Sequence, residues 1–70
     1  MFATLNADTI GENLKRLIKE SEYRTQKAFA DACFTDVRVV NRWIKGGIKN
    51  IDTISYIASV LKVDVMALLF

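Results

Sequence analysis

Apolar residues recur three and four positions apart along most of this chain, and that spacing constrains its fold more than any other feature. Because an α-helix turns once every 3.6 residues, side chains at this spacing lie on one face of a helix. The pattern divides into five short segments, at 9–21, 26–33, 37–45, 51–61 and 65–70. It therefore predicts an all-α fold of five helices, with the wide apolar face of the fourth helix at the centre of the core.

Residue types that favour a helix start come before four of these five segments. Their side-chain oxygens can accept a hydrogen bond from a backbone N–H of the first helical turn. These residues are Thr25, Asp36, Asn50 and Asp64. In the first segment, Thr9 precedes Glu12 by three residues, which is the spacing of a capping box. The pair Gly46-Gly47 predicts the end of the third helix, because glycine readily adopts the left-handed conformation found there.

The length of 70 residues allows one domain with a single small core, which we place at 9–70 behind an N-terminal extension at 1–8. Domains this small usually gain stability from disulfides, a metal ion or association. Cys33 is the only cysteine and histidine is absent, so an intrachain disulfide is excluded and zinc would lack its commonest ligand. We therefore expect no cofactor and a homodimer.

Neither secretion nor membrane insertion is indicated by the ends of the chain. The N-terminus lacks a basic start and a long apolar stretch, and the apolar run at 66–70 is far too short to cross a bilayer. We expect a soluble cytoplasmic protein, in a compartment that keeps its thiol reduced.

The positive charge of the chain is concentrated in its middle third. Residues 24–50 carry six basic and two acidic side chains, a net charge of +4, whereas 1–23 and 51–70 each carry a net charge of −1. A localised basic surface is typical of proteins that bind nucleic-acid phosphates. A solvated surface that is merely basic remains the alternative at this point.

The second and third predicted helices are separated by only 34–36, which is the connection length of a helix-turn-helix. Val40 and Trp43 lie three residues apart and are expected to face the core. Arg38, Asn41 and Arg42 then project outward. Arginine can bind guanine, and asparagine adenine, through two hydrogen bonds in the major groove. Two solvated arginines paired with Asp31 or Asp36 are the structural alternative.

Two stretches of this region resemble the lambda-repressor-like (Cro/C-repressor, XRE-type) helix-turn-helix family. Residues 25–33 read TQKAFADAC and resemble the first motif helix, while 36–46 read DVRVVNRWIKG and resemble the recognition helix. Ile10-Gly11 with Leu14 and Leu17 resembles the opening helix of that family. Residues 50–63 and 64–69 resemble its fourth and fifth helices. The resemblance extends over about 9–69 without insertions.

This resemblance implies a compact five-helix domain that binds double-stranded DNA at a roughly palindromic operator as a homodimer. It implies that bases are read by Val37, Arg38 and Arg42, and that the adjacent Asn41 either reads a base or has a structural role. It implies that phosphates are bound by Gln26, Lys27, Lys45, Lys49 and Asn50, and that Gln26 also braces the recognition helix. For the last helix we expect shared use, with some apolar residues in the core and others in the dimer interface. The expected interface residues are Met66, Leu69 and Phe70.

Phe34 departs from the family pattern, which usually has glycine in this turn. If Phe34 adopts a positive φ, the strain is on the order of 1 kcal/mol. Alternatively the turn is of another type, or Phe34 is packed into the core with a shifted register. The family's usual glutamate after tryptophan is Ile44 here, and Lys49 takes the place of its proline.

The function expected from these features is a transcriptional regulator, a repressor of phage or bacterial type. A protein-interaction module of the same fold, of the antitoxin kind, is the alternative. We do not expect an enzyme or a small-molecule substrate, because the sequence has no histidine, no glycine-rich phosphate loop and no nucleophile with a neighbouring base.

Overall fold

Five α-helices connected by short turns make up the computed structural model, which describes residues 7–48 and 50–70. The helices are α1 (Ala7–Glu20), α2 (Gln26–Ala32), α3 (Val37–Arg42), α4 (Ile51–Leu61) and α5 (Val65–Leu69). No strand is present in the described residues. The radius of gyration of 11.1 Å equals the value of about 11 Å expected for a compact chain of this length. The prediction of a compact, all-α fold with five helices is confirmed.

Side-chain caps begin α2, α3, α4 and α5, as the sequence predicts. In each case a cap oxygen accepts a backbone N–H two or three residues later, at 2.8 to 3.1 Å. The caps are Thr25, Asp36, Asn50 and Asp64. Each cap satisfies one of the backbone donors that a helix start leaves without a partner, so the entry points of four helices are fixed locally.

The first helix begins earlier than the capping-box pattern predicts. α1 already includes Ala7 and Asp8, so Thr9 lies inside the helix and the prediction that Thr9 caps it is wrong. Alanine has the highest helix propensity, and a carboxylate in the first turn interacts favourably with the helix dipole. Both effects favour a helix start on the N-terminal side of Thr9.

The third helix changes geometry before the position where the sequence predicts its end. Regular α-helix stops at Arg42, and Trp43–Gly47 forms a wider π-type turn. Gly46 closes it with a φ of 94°, in the left-handed region that glycine tolerates best. α1 packs against this wider turn, and a Cβ built on Gly11 would overlap the Ile44 carbonyl oxygen and lie 2.9 Å from its carbonyl carbon. Only glycine permits this approach of α1 to the backbone.

Side chains from all five helices fill the core. Those with essentially no exposed surface are Ile10, Leu14, Ile18, Phe29, Val40, Ile54, Ile57 and Leu68. Ala58 and Leu61 of α4 are also buried, so the predicted apolar face of that helix lies in the core. Ile51 does not join them, because its side chain at the first position of α4 is 48% exposed.

Asn13 is the buried polar side chain among the described residues, and it joins α1 to α5. Its side-chain nitrogen donates a hydrogen bond of 2.8 Å to the backbone carbonyl of Leu68. The last carbonyls of a helix have no partner within that helix, so Asn13 satisfies one of them inside the protein. This contact holds the short α5, which cannot be stable alone, against α1.

The turn between α2 and α3 is a Schellman motif with Phe34 at its left-handed position. The Thr35 N–H donates to the Ala30 carbonyl at 3.0 Å, and the Phe34 N–H donates to the Asp31 carbonyl at 3.1 Å. Phe34 has a φ of 56° and is 93% exposed. The positive φ considered from the sequence is therefore present, and the alternative of a Phe34 side chain packed into the core is wrong.

Replacing Phe34 with glycine should raise the free energy of unfolding by about 0.5 to 1 kcal/mol. Glycine removes the left-handed strain, and its greater flexibility in the unfolded chain cancels part of the gain. Urea unfolding of the purified variant measures the change. Phe34→Ala is the matched control, because it removes the ring but keeps the Cβ that causes the strain. Equal stability of the two variants would contradict a strained turn.

Candidate nucleic-acid interface

The buried side of α3 determines which residues it presents to solvent. Val40 is completely buried, and Trp43 at the following turn is half-buried against the core. Because these positions are three apart, the opposite face of the helix must point away from the protein. Arg38, Asn41 and Arg42 are all exposed on that face. The predicted orientation of both arginines and of Val40 is confirmed.

Arg38 is exposed but its guanidinium is paired with a carboxylate of its own chain. Arg38 Nε donates to Asp36 Oδ1 at 3.2 Å, and Arg38 Nη2 donates to Asp36 Oδ2 at 3.2 Å. The side-chain hydrogen bond from Arg38, followed by its backbone N–H, lowers the pKa of Asp36, and Asp36 raises the pKa of Arg38. The Arg38 side chain remains 85% exposed, so the pair lies on the surface. The structural alternative considered from the sequence was that the two arginines pair with acidic residues of their own chain. For Arg38 such a pair, with Asp36, is present.

Arg42 differs from Arg38, because it forms no ion pair within residues 7–48 and 50–70. Lys45, one turn further along, is exposed as well. Val37 is only half-buried, and its side chain packs partly against the core. The four predicted base-reading positions thus combine three exposed polar side chains with one apolar side chain at the helix start.

The predicted phosphate-binding residues are distributed over three elements. Gln26 is half-buried at the first position of α2, and its side chain makes no hydrogen bond to α3 in the described structure. Lys27 is exposed and pairs with Asp31 at 3.8 Å. Asn50 uses its side-chain oxygen to cap α4 through Thr53. Lys49 lies outside the described residues.

An open concavity of about 350 Å³ adds three cations that the sequence pattern did not single out. It lies where α1 ends and α2 begins. Its lining residues are Lys15, Ile18, Lys19, Arg24, Thr25 and Gln26. No acidic side chain lines it. The summed charge of the segment 1–23 is −1, so it did not indicate Lys15 and Lys19 as part of a basic surface. The sequence feature that could have indicated this surface is the spacing of four residues between Lys15 and Lys19, which places both side chains on one helix face.

The predicted interface residues of the last helix differ in exposure. Met66 is 57% exposed and Phe70 is 73% exposed, whereas Leu69 is half-buried against the core. Leu68 is completely buried. The helix therefore provides residues both to the core and to the surface, and its role in a dimer stays a prediction.

Other kinds of site find little support in the described residues. No group of three histidine, cysteine, aspartate or glutamate side chains is arranged to hold a metal ion there. Burial raises the pKa of the Cys33 thiol to about 11, which disfavours its nucleophilic thiolate form at neutral pH. None of the described helices has the length and apolarity needed to span a bilayer.

No protein-family model, no curated protein and no solved structure matches the chain.

Proposed function

We propose that this chain is a sequence-specific DNA-binding domain of the lambda-repressor-like helix-turn-helix type, acting as a transcriptional repressor of bacterial or phage kind. The observation that carries the proposal is the exposed Arg38, Asn41 and Arg42 face opposite the buried Val40. In this proposal α3 enters the major groove, where arginine and asparagine side chains read base edges. Repression follows when the bound domain occludes the polymerase.

The connection between α2 and α3 supports a helix-turn-helix. α2 packs on α3, and only the four residues 33–36 separate them. The Schellman motif at Phe34 ends the first helix, and the Asp36 cap begins the second one. Tyr56 of α4 donates a hydrogen bond of 3.3 Å to the Cys33 carbonyl, which braces the turn against the rest of the domain. Hydrogen bonds therefore hold both ends of the turn that precedes α3.

The basic concavity supplies a second part of the proposed DNA surface. Lys15, Lys19 and Arg24 surround Gln26, the residue expected to bind a phosphate at the start of α2. Phosphate contacts position a protein on the duplex without reading its sequence. We assign the concavity to the DNA backbone beside the groove that α3 occupies, with Lys45 as a further contact.

A homodimer would complete the proposal. Two copies related by a two-fold axis would place their α3 helices in successive major grooves, about 34 Å apart. Met66 of α5 and Phe70, which directly follows α5, are exposed apolar residues that can meet in such an interface. The operator would then be roughly palindromic, because its symmetry follows that of the protein.

The test is selection of bound sequences from a random DNA pool at near-physiological salt, followed by affinity measurements across salt concentrations. We expect a palindromic consensus and an affinity that falls with a slope of about −0.9 per phosphate contact on a double-logarithmic plot. The double substitution Lys15→Gln and Lys19→Gln removes two proposed phosphate contacts from each protomer and four from the dimer, so it should make the slope shallower by about 3.6. Lys62→Gln is the matched control, because Lys62 ends α4 outside the proposed surface, and it should leave the slope unchanged.

An interaction module of the antitoxin kind is the second candidate function. The exposed ring of Phe34 favours it, because a strained and fully exposed aromatic side chain suits contact with another protein. The same measurements separate the two candidates. An interaction module would yield no consensus and would bind DNA weakly at every salt concentration.

A further inference from the structure

We infer that Asp36 is a positioning residue, which holds the Arg38 guanidinium in place for reading guanine and thereby sets the base preference of α3. The inference rests on the proposed DNA-binding function and adds a specificity determinant to it. It comes from the Asp36–Arg38 hydrogen bonds and from the edge of the guanidinium that they leave available.

The geometry of the pair leaves the distal edge of Arg38 accessible. A guanidinium is planar and has five N–H donors in a fixed arrangement. Asp36 accepts from Nε and Nη2, which form the side edge of the group. The opposite, distal edge still offers N–H donors from Nη1 and Nη2. Two parallel donors of this kind match O6 and N7 of guanine in the major groove.

Asp36 can hold this orientation because its own carboxylate is anchored. Oδ1 accepts the backbone N–H of Arg38 at 2.8 Å, as the cap of α3. The carboxylate is therefore attached to the helix start and to the side chain two residues later. A long arginine side chain normally loses much rotamer freedom when it binds a base. The hydrogen bonds from Arg38 to Asp36 favour one orientation of the guanidinium before DNA arrives.

The same carboxylate has an unfavourable effect on binding to DNA in general. It brings a negative charge close to a surface that is proposed to face phosphates, and it neutralises part of the attraction of Arg38 for them. Removal of the charge should therefore strengthen binding to any duplex. Loss of the fixed Arg38 orientation should weaken discrimination between duplexes. If Asp36 acted only as a helix cap, or only as a charge, its replacement would not strengthen binding to every duplex and at the same time weaken discrimination between duplexes.

The experiment compares Asp36→Asn with the parent and with Asp31→Asn. Asparagine keeps a cap oxygen for α3 but loses the charge and the second acceptor for Arg38. Asp31 is an exposed acid on α2, paired with Lys27, and provides a control for charge alone. Affinities are measured at one salt concentration for the selected consensus and for a scrambled duplex of the same length, with thermal melting to verify folding.

For Asp36→Asn we expect tighter binding to the scrambled duplex and a fall of about tenfold in the ratio of consensus to scrambled affinity. For Asp31→Asn we expect both affinities to rise together and the ratio to stay constant. In an Arg38→Ala background, Asp36→Asn should no longer change the ratio, because the residue through which it acts is missing.

Three results would overturn the inference. An unchanged ratio in Asp36→Asn would show that Arg38 needs no positioning. A parallel fall of both affinities with a lower melting temperature would assign Asp36 to capping alone. A changed ratio that persists in the Arg38→Ala background would mean that Asp36 reads a base itself. If the parent protein selects no consensus, the proposed function fails first, and that result is distinguishable because it precedes any variant.

Discussion

Gly11→Ala is expected to lower the free energy of unfolding by about 3 kcal/mol or more, although alanine normally stabilises a helix. At an ordinary interior position, glycine to alanine gains about 1 kcal/mol. At Gly11 the new Cβ would overlap the Ile44 carbonyl, which is backbone and cannot rotate away. α1 must then move off the π-type turn, and such backbone shifts are costly in a close-packed core. Gly11→Ala is therefore expected to destabilise the protein, whereas a glycine-to-alanine substitution at an ordinary helix position stabilises it.

Thermal and urea unfolding provide the measurement. For a domain of this size, 1 kcal/mol corresponds to about 4–8 °C in Tm, so the melting temperature should fall by about 12 °C or more. Glu12→Ala is the matched control, since Glu12 is the next residue and is exposed, and it should change the stability by less than about 0.5 kcal/mol. A variant of Gly11 that is more stable than the parent would show that α1 does not approach Ile44 closely.

Arg42→Ala should reduce affinity for the selected operator by about 1–3 kcal/mol, or about 5- to 150-fold, and relax the preference at one base pair. Its guanidinium has no competing carboxylate in the described chain, so the whole side chain is available to DNA. Arg38→Ala should produce a loss of similar size at a different base pair. If the two contacts are independent, the double variant should lose about 2–6 kcal/mol.

Two controls distinguish base reading from loss of charge. Arg16→Ala removes an exposed arginine of α1 that does not line the concavity, and it should change operator affinity little. Lys45→Ala should weaken binding to all duplexes to a similar extent, as expected for a phosphate contact. Operator binding by both arginine variants at parental strength would remove Arg38 and Arg42 from the set of base-reading residues.

Local interactions explain the parts of the fold that could be predicted from the sequence. Cap oxygens act within two or three residues, so Asp36 and Asn50 were recognisable from their neighbours alone. Val40 was predictable because helical spacing repeats along the chain. Thr9 shows the limit of local patterns, since a sequence that matches a capping box also fits inside a helix that starts earlier.

Contacts between distant segments explain what the sequence could not predict. Asn13 and Leu68 are 55 positions apart, and no local pattern relates them. The requirement for Gly11 depends on where Ile44 lies after folding. The basic concavity likewise depends on how α1 meets α2, which brings Arg24 beside Lys15 and Lys19. In the candidate site, the orientation of α3 was predictable, whereas the pairing of Arg38 with Asp36 was only one of the alternatives.

Cys33 provides an internal probe for the opening of this region. It is the single thiol of the chain, it is 6% exposed, and burial raises its pKa to about 11. At neutral pH, reaction of Cys33 with a thiol reagent is therefore expected to need local opening of the end of α2 or of the turn that follows it. The labelling rate reports how often the turn that carries α3 opens, and DNA bound across that turn would slow the reaction without any added fluorophore or isotope.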